Sequence, residues 1–130
     1  MHRVLVTGGT GFLGSSIVRR LVSKQNIEYV VVPTTDIRSK TSLDLLSIEP
    51  NKLNLINGDI RDYDFIQRLF NEYEFDTVLH LGALSEVRKC QSNAKLAYDT
   101  NIGGTINLLE AARLFGNVKA IVVSSSDKAY

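Results

Sequence analysis

Short apolar runs alternate along the chain with longer amphipathic segments. This alternation is typical of strands joined by crossover helices in a parallel sheet, and not of hairpins. The pattern predicts the order βαβαβαβαβ, in which the last strand is wholly apolar, as a parallel strand buried on both faces should be. The five predicted strands are Arg3 to Val6, Tyr29 to Val32, Leu53 to Asn57, Thr77 to Leu81 and Ala120 to Val123.

Amphipathic segments between these strands predict three helices. The first spans about Phe12 to Ser23, the second begins after the capping residue Asp62, and the third runs from about Leu96 to Phe115. Between Pro33 and Asn51 the pattern is irregular, with a short helix predicted around Ser42 to Ser47. The apolar stripe of the third helix is predicted to comprise Ile102, Ile106, Leu109, Ala112 and Leu114.

Composition narrows the class of protein. The chain has 130 residues, 44% hydrophobic and 22% charged, which indicates one globular domain. Fifteen basic and fourteen acidic residues give a net charge of +1, so no strong field would attract nucleic acid or an anionic membrane. No apolar run approaches the roughly 18 residues of a transmembrane helix. Because the single cysteine, Cys90, cannot form an intramolecular disulfide, we expect a cytoplasmic protein, and no metal site around this thiol.

Glycines recur every three residues where the first predicted strand passes into the first predicted helix. Gly8, Gly11 and Gly14 occupy these positions. In such a turn one glycine permits a tight bend, one lets the backbone approach a pyrophosphate, and one lets helix and strand pack closely. The free N–H groups at the helix start then bind the anion. The pattern predicts a dinucleotide site in an α/β, Rossmann-type doubly wound parallel sheet with helices on both faces.

The second predicted strand lacks the acidic residue that usually binds the ribose of NAD. About 20 residues beyond the glycines, where Asp or Glu is expected, the sequence has Val32 and Pro33. Asp36 follows slightly later, and Arg38 and Lys40 after it could instead receive the 2′-phosphate of NADP. The sequence leaves both cofactors open and favours NAD through Asp36. The three charged residues are equally consistent with solvated loop charges.

The turn from Thr7 to Gly14 resembles the T-G-G-x-G-F-x-G motif of the extended short-chain dehydrogenase/reductase family, the NAD-dependent nucleotide-sugar epimerases and dehydratases. Three later segments resemble this family in the same order: N-G-D-I-R-D at 57–62, H-L-G-A at 80–83 and D-T-N-I-G-G-T-I-N-L-L-E-A at 99–111. The resemblance implies cofactor contacts by Gly8, Gly11, Phe12, Leu13, Gly14, Asp36, Asp59, Ile60, Leu81, Ala83, Asn101 and Ser124.

Individual roles also follow from the resemblance. Asp59 would face the ring amine of adenine, since a carboxylate at the carboxyl end of a strand faces the ligand crevice, and Ile60 would pack on the ring. The family pattern places Asn101 near the cofactor, although an ordinary polar helix residue is the alternative. His80 is equally consistent with a cofactor role and with a hydrogen-bonded core histidine.

The segment after the fifth predicted strand resembles sugar-nucleotide 4,6-dehydratases of the CDP-glucose 4,6-dehydratase type. Its candidate catalytic residues are Ser126, Asp127 and Lys128. A dehydratase must remove a proton from C5 of the sugar while another proton reaches the hydroxyl that departs from C6. The resemblance implies Asp127 as the acid, Lys128 as a base whose pKa must be lowered, and Ser126 as the residue that orients the C4 hydroxyl. A charged pair in a plain strand-end turn is the alternative.

The Tyr-x-x-x-Lys pair of the family does not occur at its expected place, and the alternating pattern stops after the fifth strand. We therefore expect residues 1–130 to be an incomplete NAD(P)-binding domain without the substrate-binding lobe, inactive by itself. The complete enzyme would act on a nucleotide sugar, and the resemblance implies a homodimer. A non-enzymatic NAD(P)-binding or regulatory module, and a fragment of a nucleotide-sugar epimerase or reductase, are the alternatives.

Overall fold

The computed structural model describes residues 1–48 and 51–126. Within this part of the chain, five parallel strands form one sheet. They are β1 Arg3–Thr7, β2 Tyr29–Thr34, β3 Leu53–Asn57, β4 Thr77–His80 and β5 Ala120–Val123. Their order is β3-β2-β1-β4-β5, so the direction of winding reverses between β1 and β4. This order confirms the predicted Rossmann-type doubly wound sheet.

Helices cover both faces of the sheet. They are α1 Phe12–Val22, α2 Lys40–Leu46, α3 Tyr63–Glu72, α4 Val87–Ser92, α5 Ala94–Tyr98 and α6 Gly104–Phe115, with a π-helical turn, Asp99–Gly103, before α6. Val18 of α1 and Leu45 of α2 pack in the core of one face. Ile66 of α3 and Leu108 of α6 pack in the core of the other face, together with Leu5 of β1. None of the described helices is long and apolar enough to span a bilayer.

The predicted helix from Leu96 to Phe115 is interrupted, and its predicted stripe is wrong. The π-helical turn changes the rotation per residue, so the faces of α6 shift in phase. The buried residues of α6 are Gly104, Leu108, Ala111 and Ala112. Four of the five residues predicted for the buried stripe are exposed, namely Ile102 in the π-helical turn and Ile106, Leu109 and Leu114 in α6. Small residues face inward because α6 lies close to Ile60, whose Cδ1 would be 2.6 Å from a Cβ on Gly104.

β5 also differs from its predicted environment. All four of its residues are exposed, and in the described structure it lies at the edge of the sheet and pairs with β4 alone. The prediction that this strand is buried on both faces is therefore wrong for the part of the chain described. The other strands lie where the sequence predicts them, with ends that differ by at most two residues.

One buried carboxylate ties the amino ends of the central strands together. Asp76, which directly precedes β4, accepts hydrogen bonds from the backbone N–H groups of His2 at 3.0 Å and Arg3 at 3.1 Å, and from the Thr77 hydroxyl at 2.7 Å. Its carbonyl accepts from the Lys119 amide at 2.8 Å. Burial by itself raises the pKa of Asp76, but these hydrogen bonds outweigh burial and hold the pKa below its ordinary value.

We expect Asp76→Asn to lower the free energy of unfolding by about 1–3 kcal/mol, because an amide nitrogen cannot accept the hydrogen bonds that a carboxylate oxygen accepts. The pKa is lowered in the folded state, so this stabilisation is present above the ordinary pKa of Asp and is lost as the pH falls through the folded value. Urea denaturation of wild type and variant over a pH series measures the difference, which should shrink in acid.

The matched control is Asp44→Asn, which removes the same charge from an exposed position in α2. It should change the free energy of unfolding by less than about 0.5 kcal/mol. Equal effects of the two substitutions would contradict the clamping role of Asp76.

Candidate functional site

A crevice lies at the carboxyl ends of the strands, where the strand order reverses. In an open α/β sheet this is the position at which ligands bind. Its walls come from the turn after β1, the end of β2, the loop after β3 and the loop after β4. The lining residues from these four walls are Thr7, Gly8, Thr10, Pro33, Thr34, Thr35, Gly58, Asp59, Ile60, Arg61, Gly82, Ala83 and Leu84.

The glycine turn has the geometry that its spacing predicts. Gly8 has a φ of 71°, a left-handed conformation that favours glycine. A Cβ on Gly14 would lie 2.0 Å from the Gly8 carbonyl oxygen, so the start of α1 can approach β1 only without a side chain there. Gly11 is the N-cap of α1 and offers no side-chain cap. The first amides of α1 are therefore available to an anion.

Phe12 and Leu13, the predicted cofactor contacts that begin α1, are 97% and 59% exposed. Neither side chain lines the crevice in the described structure. Their backbone amides, however, belong to the helix start that would face a pyrophosphate. Contacts between their side chains and a cofactor stay predictions.

Asp59 lies in the crevice wall after β3, as predicted, and it has a partner that the sequence did not reveal. The Arg61 side chain donates to its carboxylate through Nε at 2.9 Å, and the Arg61 amide donates at 2.9 Å. This ion pair lowers the pKa of Asp59, so the carboxylate is ionised at neutral pH. Ile60 lines the same wall, and its carbonyl accepts a hydrogen bond from Asn107 of α6 at 2.8 Å.

The end of β2 presents threonines to the crevice, and not the predicted Asp36. Thr34 and Thr35 line the crevice, whereas Asp36 is exposed and outside its lining. The Thr34 hydroxyl accepts from the Asp36 amide at 3.2 Å, and the Asp36 carbonyl accepts from the Ser42 hydroxyl at 2.8 Å. The ribose-binding role of Asp36 stays a prediction. The threonines could have been found from their place at the end of a strand.

A second pocket adjoins the crevice and shares Gly82, Ala83 and Leu84 with it. It lies at the ends of β4 and β5, and the Ser124 amide donates to the His80 carbonyl at 3.0 Å. Five predicted site residues line this pocket, namely Leu81, Ala83, Asn101, Ser124 and Ser126. The two remaining candidates, Asp127 and Lys128, lie outside the described residues.

His80 is a hydrogen-bonded core histidine, the alternative that the sequence left open. It is 4% exposed, and burial lowers its pKa below the ordinary value. Its Nδ1 lies 2.6 Å from the Thr7 hydroxyl, and its Nε2 lies 2.8 Å from the Thr105 hydroxyl. The described residues contain no group of three His, Cys, Asp or Glu side chains that could hold a metal ion.

Sheet order, glycine turn and uncapped helix start together define a Rossmann-type dinucleotide-binding domain. Within this class, the sequence model of the family described as GDP-mannose 4,6 dehydratase matches residues 5–130, and the chain belongs to this family. The match confirms the resemblance to extended short-chain dehydrogenases/reductases.

Relatives of this chain catalyse more than one reaction. The dTDP-glucose 4,6-dehydratase of Salmonella typhimurium is 37% identical over 115 residues, which are 87% of this chain and 31% of that protein. The UDP-glucose 4-epimerase of Streptomyces lividans is 36% identical over 129 residues, 98% of this chain and 37% of that protein. The chain therefore spans about a third of the length of these relatives.

Solved epimerases share the fold. The structure of UDP-glucose-4-epimerase from Stenotrophomonas maltophila with bound NAD and formylated UDP-arabinopyranose superposes with a TM-score of 0.83 at 32% identity, covering 98% of this chain and 38% of that one. The UDP-glucose 4-epimerase of Thermus thermophilus in complex with NAD superposes with a TM-score of 0.77 at 31% identity, covering 95% of this chain and 37% of that one.

Because Gly14 closely approaches Gly8, we predict that an alanine at position 14 destabilises the protein, whereas an alanine at the unobstructed Gly103 does not. We expect Gly14→Ala to lower the free energy of unfolding by about 1–3 kcal/mol, the usual cost of overpacking. Gly103→Ala should be neutral or slightly stabilising, because its Cβ would have no atom within 4 Å and alanine favours helices. Chemical denaturation of both variants measures this. A Gly14→Ala protein as stable as wild type would show that α1 does not depend on the contact.

Proposed function

We propose that this chain is the dinucleotide-binding part of a nucleotide-sugar dehydratase or epimerase, and that its dinucleotide is NAD. The observation that carries the proposal is the turn from Gly8 to Gly14, which sets the uncapped start of α1 beside the crevice. Two solved relatives with the same fold hold NAD. NADP is the alternative, because Thr34 and Thr35 occupy the strand end where an acidic ribose ligand is usual.

The orientation of the dinucleotide follows from the two ends of the continuous groove. We infer that the pyrophosphate lies at the start of α1 and that the adenosine extends towards Asp59 and Ile60, which line the first pocket. The nicotinamide then extends towards Asn101 and Ser124, which line the second. This orientation is supported by the position of the second pocket beside the end of β5, where the candidate catalytic segment begins.

The reacting sugar belongs at the second pocket. When bound, NAD would accept hydride from C4 of a nucleotide sugar and, in a dehydratase, return it to C6. Ser126 lines this pocket, which supports its proposed role in orienting the C4 hydroxyl. Asp127 would donate a proton to the hydroxyl that leaves C6, and Lys128 would accept the proton from C5. Elimination is thus proposed for the complete enzyme, and epimerisation is the second candidate because epimerases match the chain equally well.

Calorimetric titration with NAD tests the cofactor proposal. We expect saturable binding, and we expect Asp59→Ala to raise the dissociation constant about tenfold, the ratio that one hydrogen bond to a charged group represents. Asp44→Ala, at an exposed position away from the crevice, should leave the constant unchanged. Absence of binding by both NAD and NADP would overturn the proposed function. Tighter binding of NADP would overturn the choice of NAD alone.

The reaction class is tested in the complete enzyme with Asp127→Ala and Lys128→Met. If the enzyme is a dehydratase, each variant should still oxidise C4 and accumulate reduced nicotinamide, measured by its absorbance, while the dehydrated product disappears. Lys24→Met, at an exposed position after α1, should retain full turnover. If both active-site variants still convert the nucleotide sugar at the wild-type rate, and the product has not lost water, the epimerase is favoured.

Homodimer formation and a cytoplasmic location stay predictions. The dimer is supported by an exposed apolar stripe on successive turns before and within α6, formed by Tyr98, Ile102, Ile106 and Leu109. Exposed apolar patches of this kind mark interaction surfaces.

A further inference from the structure

A closed circuit of hydrogen bonds surrounds the loop after β4. Gly82 donates its amide to the Thr7 hydroxyl at 3.1 Å, and that hydroxyl contacts Nδ1 of His80 at 2.6 Å. Nε2 of His80 contacts the Thr105 hydroxyl at 2.8 Å, and Thr105 donates to the Asn101 carbonyl at 2.7 Å. The circuit then returns to the same loop through the Asn101 side chain.

The return step fixes the loop at a second point. The side-chain amide of Asn101 donates to the Leu84 carbonyl at 2.9 Å, and its oxygen accepts from the Leu84 amide at 2.7 Å. The Thr7 side chain thus holds Gly82, and the Asn101 side chain holds Leu84. His80 connects these two residues, because it contacts Thr7 directly and reaches Asn101 through Thr105. Gly82 and Leu84 line both pockets of the groove.

The direction of each proton in the circuit can be derived. The Asn101 carbonyl can only accept, so the Thr105 hydroxyl donates to it and must accept a hydrogen bond from the Nε2–H group of His80. The Gly82 amide can only donate, so it uses a lone pair of Thr7 and leaves the Thr7 hydroxyl proton for Nδ1. A neutral imidazole that donates from Nε2 accepts at Nδ1, and every donor therefore meets an acceptor.

We propose that His80 is a positioning residue, held as the neutral Nε2–H tautomer, which through Thr7 and Thr105 sets the position of residues 82–84 in the cofactor groove. Its burial keeps the ring neutral at physiological pH. The consequence for ligand binding rests on the proposed NAD function. A shift of Gly82 would also move the glycine turn, because a Cβ on Gly8 would lie only 2.6 Å from the Gly82 nitrogen.

The first test reads the tautomer without any ligand. In nitrogen-15 NMR of the labelled protein at neutral pH, His80 should show a protonated Nε2 and an unprotonated Nδ1. Thr105→Ser keeps the hydroxyl and should preserve this signature. Thr105→Val keeps the branched shape but removes the acceptor, so the signature should change to the other tautomer or to a mixture. A wild-type ring protonated at Nδ1, or the same signature in both variants, would overturn the proposal.

The second test reads ligand binding by calorimetry with NAD. Thr105→Val should raise the dissociation constant about fivefold, the ratio for one neutral hydrogen bond, and Thr105→Ser should restore it to near the wild-type value. If the Thr105→Val protein melts below the assay temperature, Thr7→Val and Thr7→Ser repeat the comparison on the other side of the ring. Equal affinities across each pair would overturn the positioning role. Failure of the wild type to bind NAD would instead overturn the proposed function, while the tautomer result would stand.

Discussion

The rest of the structure depends on the close approach of two backbones, those of Gly8 and Gly82. A Cβ on Gly8 would lie 2.6 Å from the Gly82 nitrogen, so β1 and β4 can end side by side only because Gly8 has no side chain. A Cβ on Gly82 would in turn lie 3.1 Å from the Gly8 nitrogen. Gly14 then brings α1 onto the same turn. The crevice at the strand-order reversal, and the direction of the first helical amides, follow from this approach.

Local periodicity was enough to predict the order of elements, because each strand and helix buries one set of side chains at its own spacing. It failed on α6 because the π-helical turn at 99–103 changes the phase of the helix, and no local pattern contained that change. It failed on β5 for a different reason. Apolar composition shows that a strand can be buried, but burial itself depends on neighbours, and in the described structure Ile121 and Val122 are exposed at the sheet edge.

Some features of the candidate site could likewise be predicted from local sequence, and others could not. The glycine turn could be predicted because its constraints act within seven residues, and Asp59 because strand ends face the crevice. The circuit around His80 could not be predicted, since Thr7 and His80 are 73 residues apart and meet only when β1 pairs with β4. Asp36 shows that a suitable position in the sequence does not guarantee a position in the site. A carboxylate near the expected position in sequence lies outside the crevice, because β2 extends to Thr34 and the chain then turns away.

The division of the groove into two pockets explains how one domain can serve both reaction classes found among its relatives. Dehydratases and epimerases of nucleotide sugars share the transfer of hydride to a bound dinucleotide, which needs the crevice, the glycine turn and a fixed loop after β4 that leads into the second pocket. They differ in what happens to the oxidised sugar, which needs side chains at the second pocket. That pocket is lined from β4, α6 and the segment after β5, whereas the glycine turn lines the crevice. Changes at the candidate catalytic residues beyond Ser124 can therefore alter the reaction while the contacts of the crevice with the adenosine and the pyrophosphate stay unchanged.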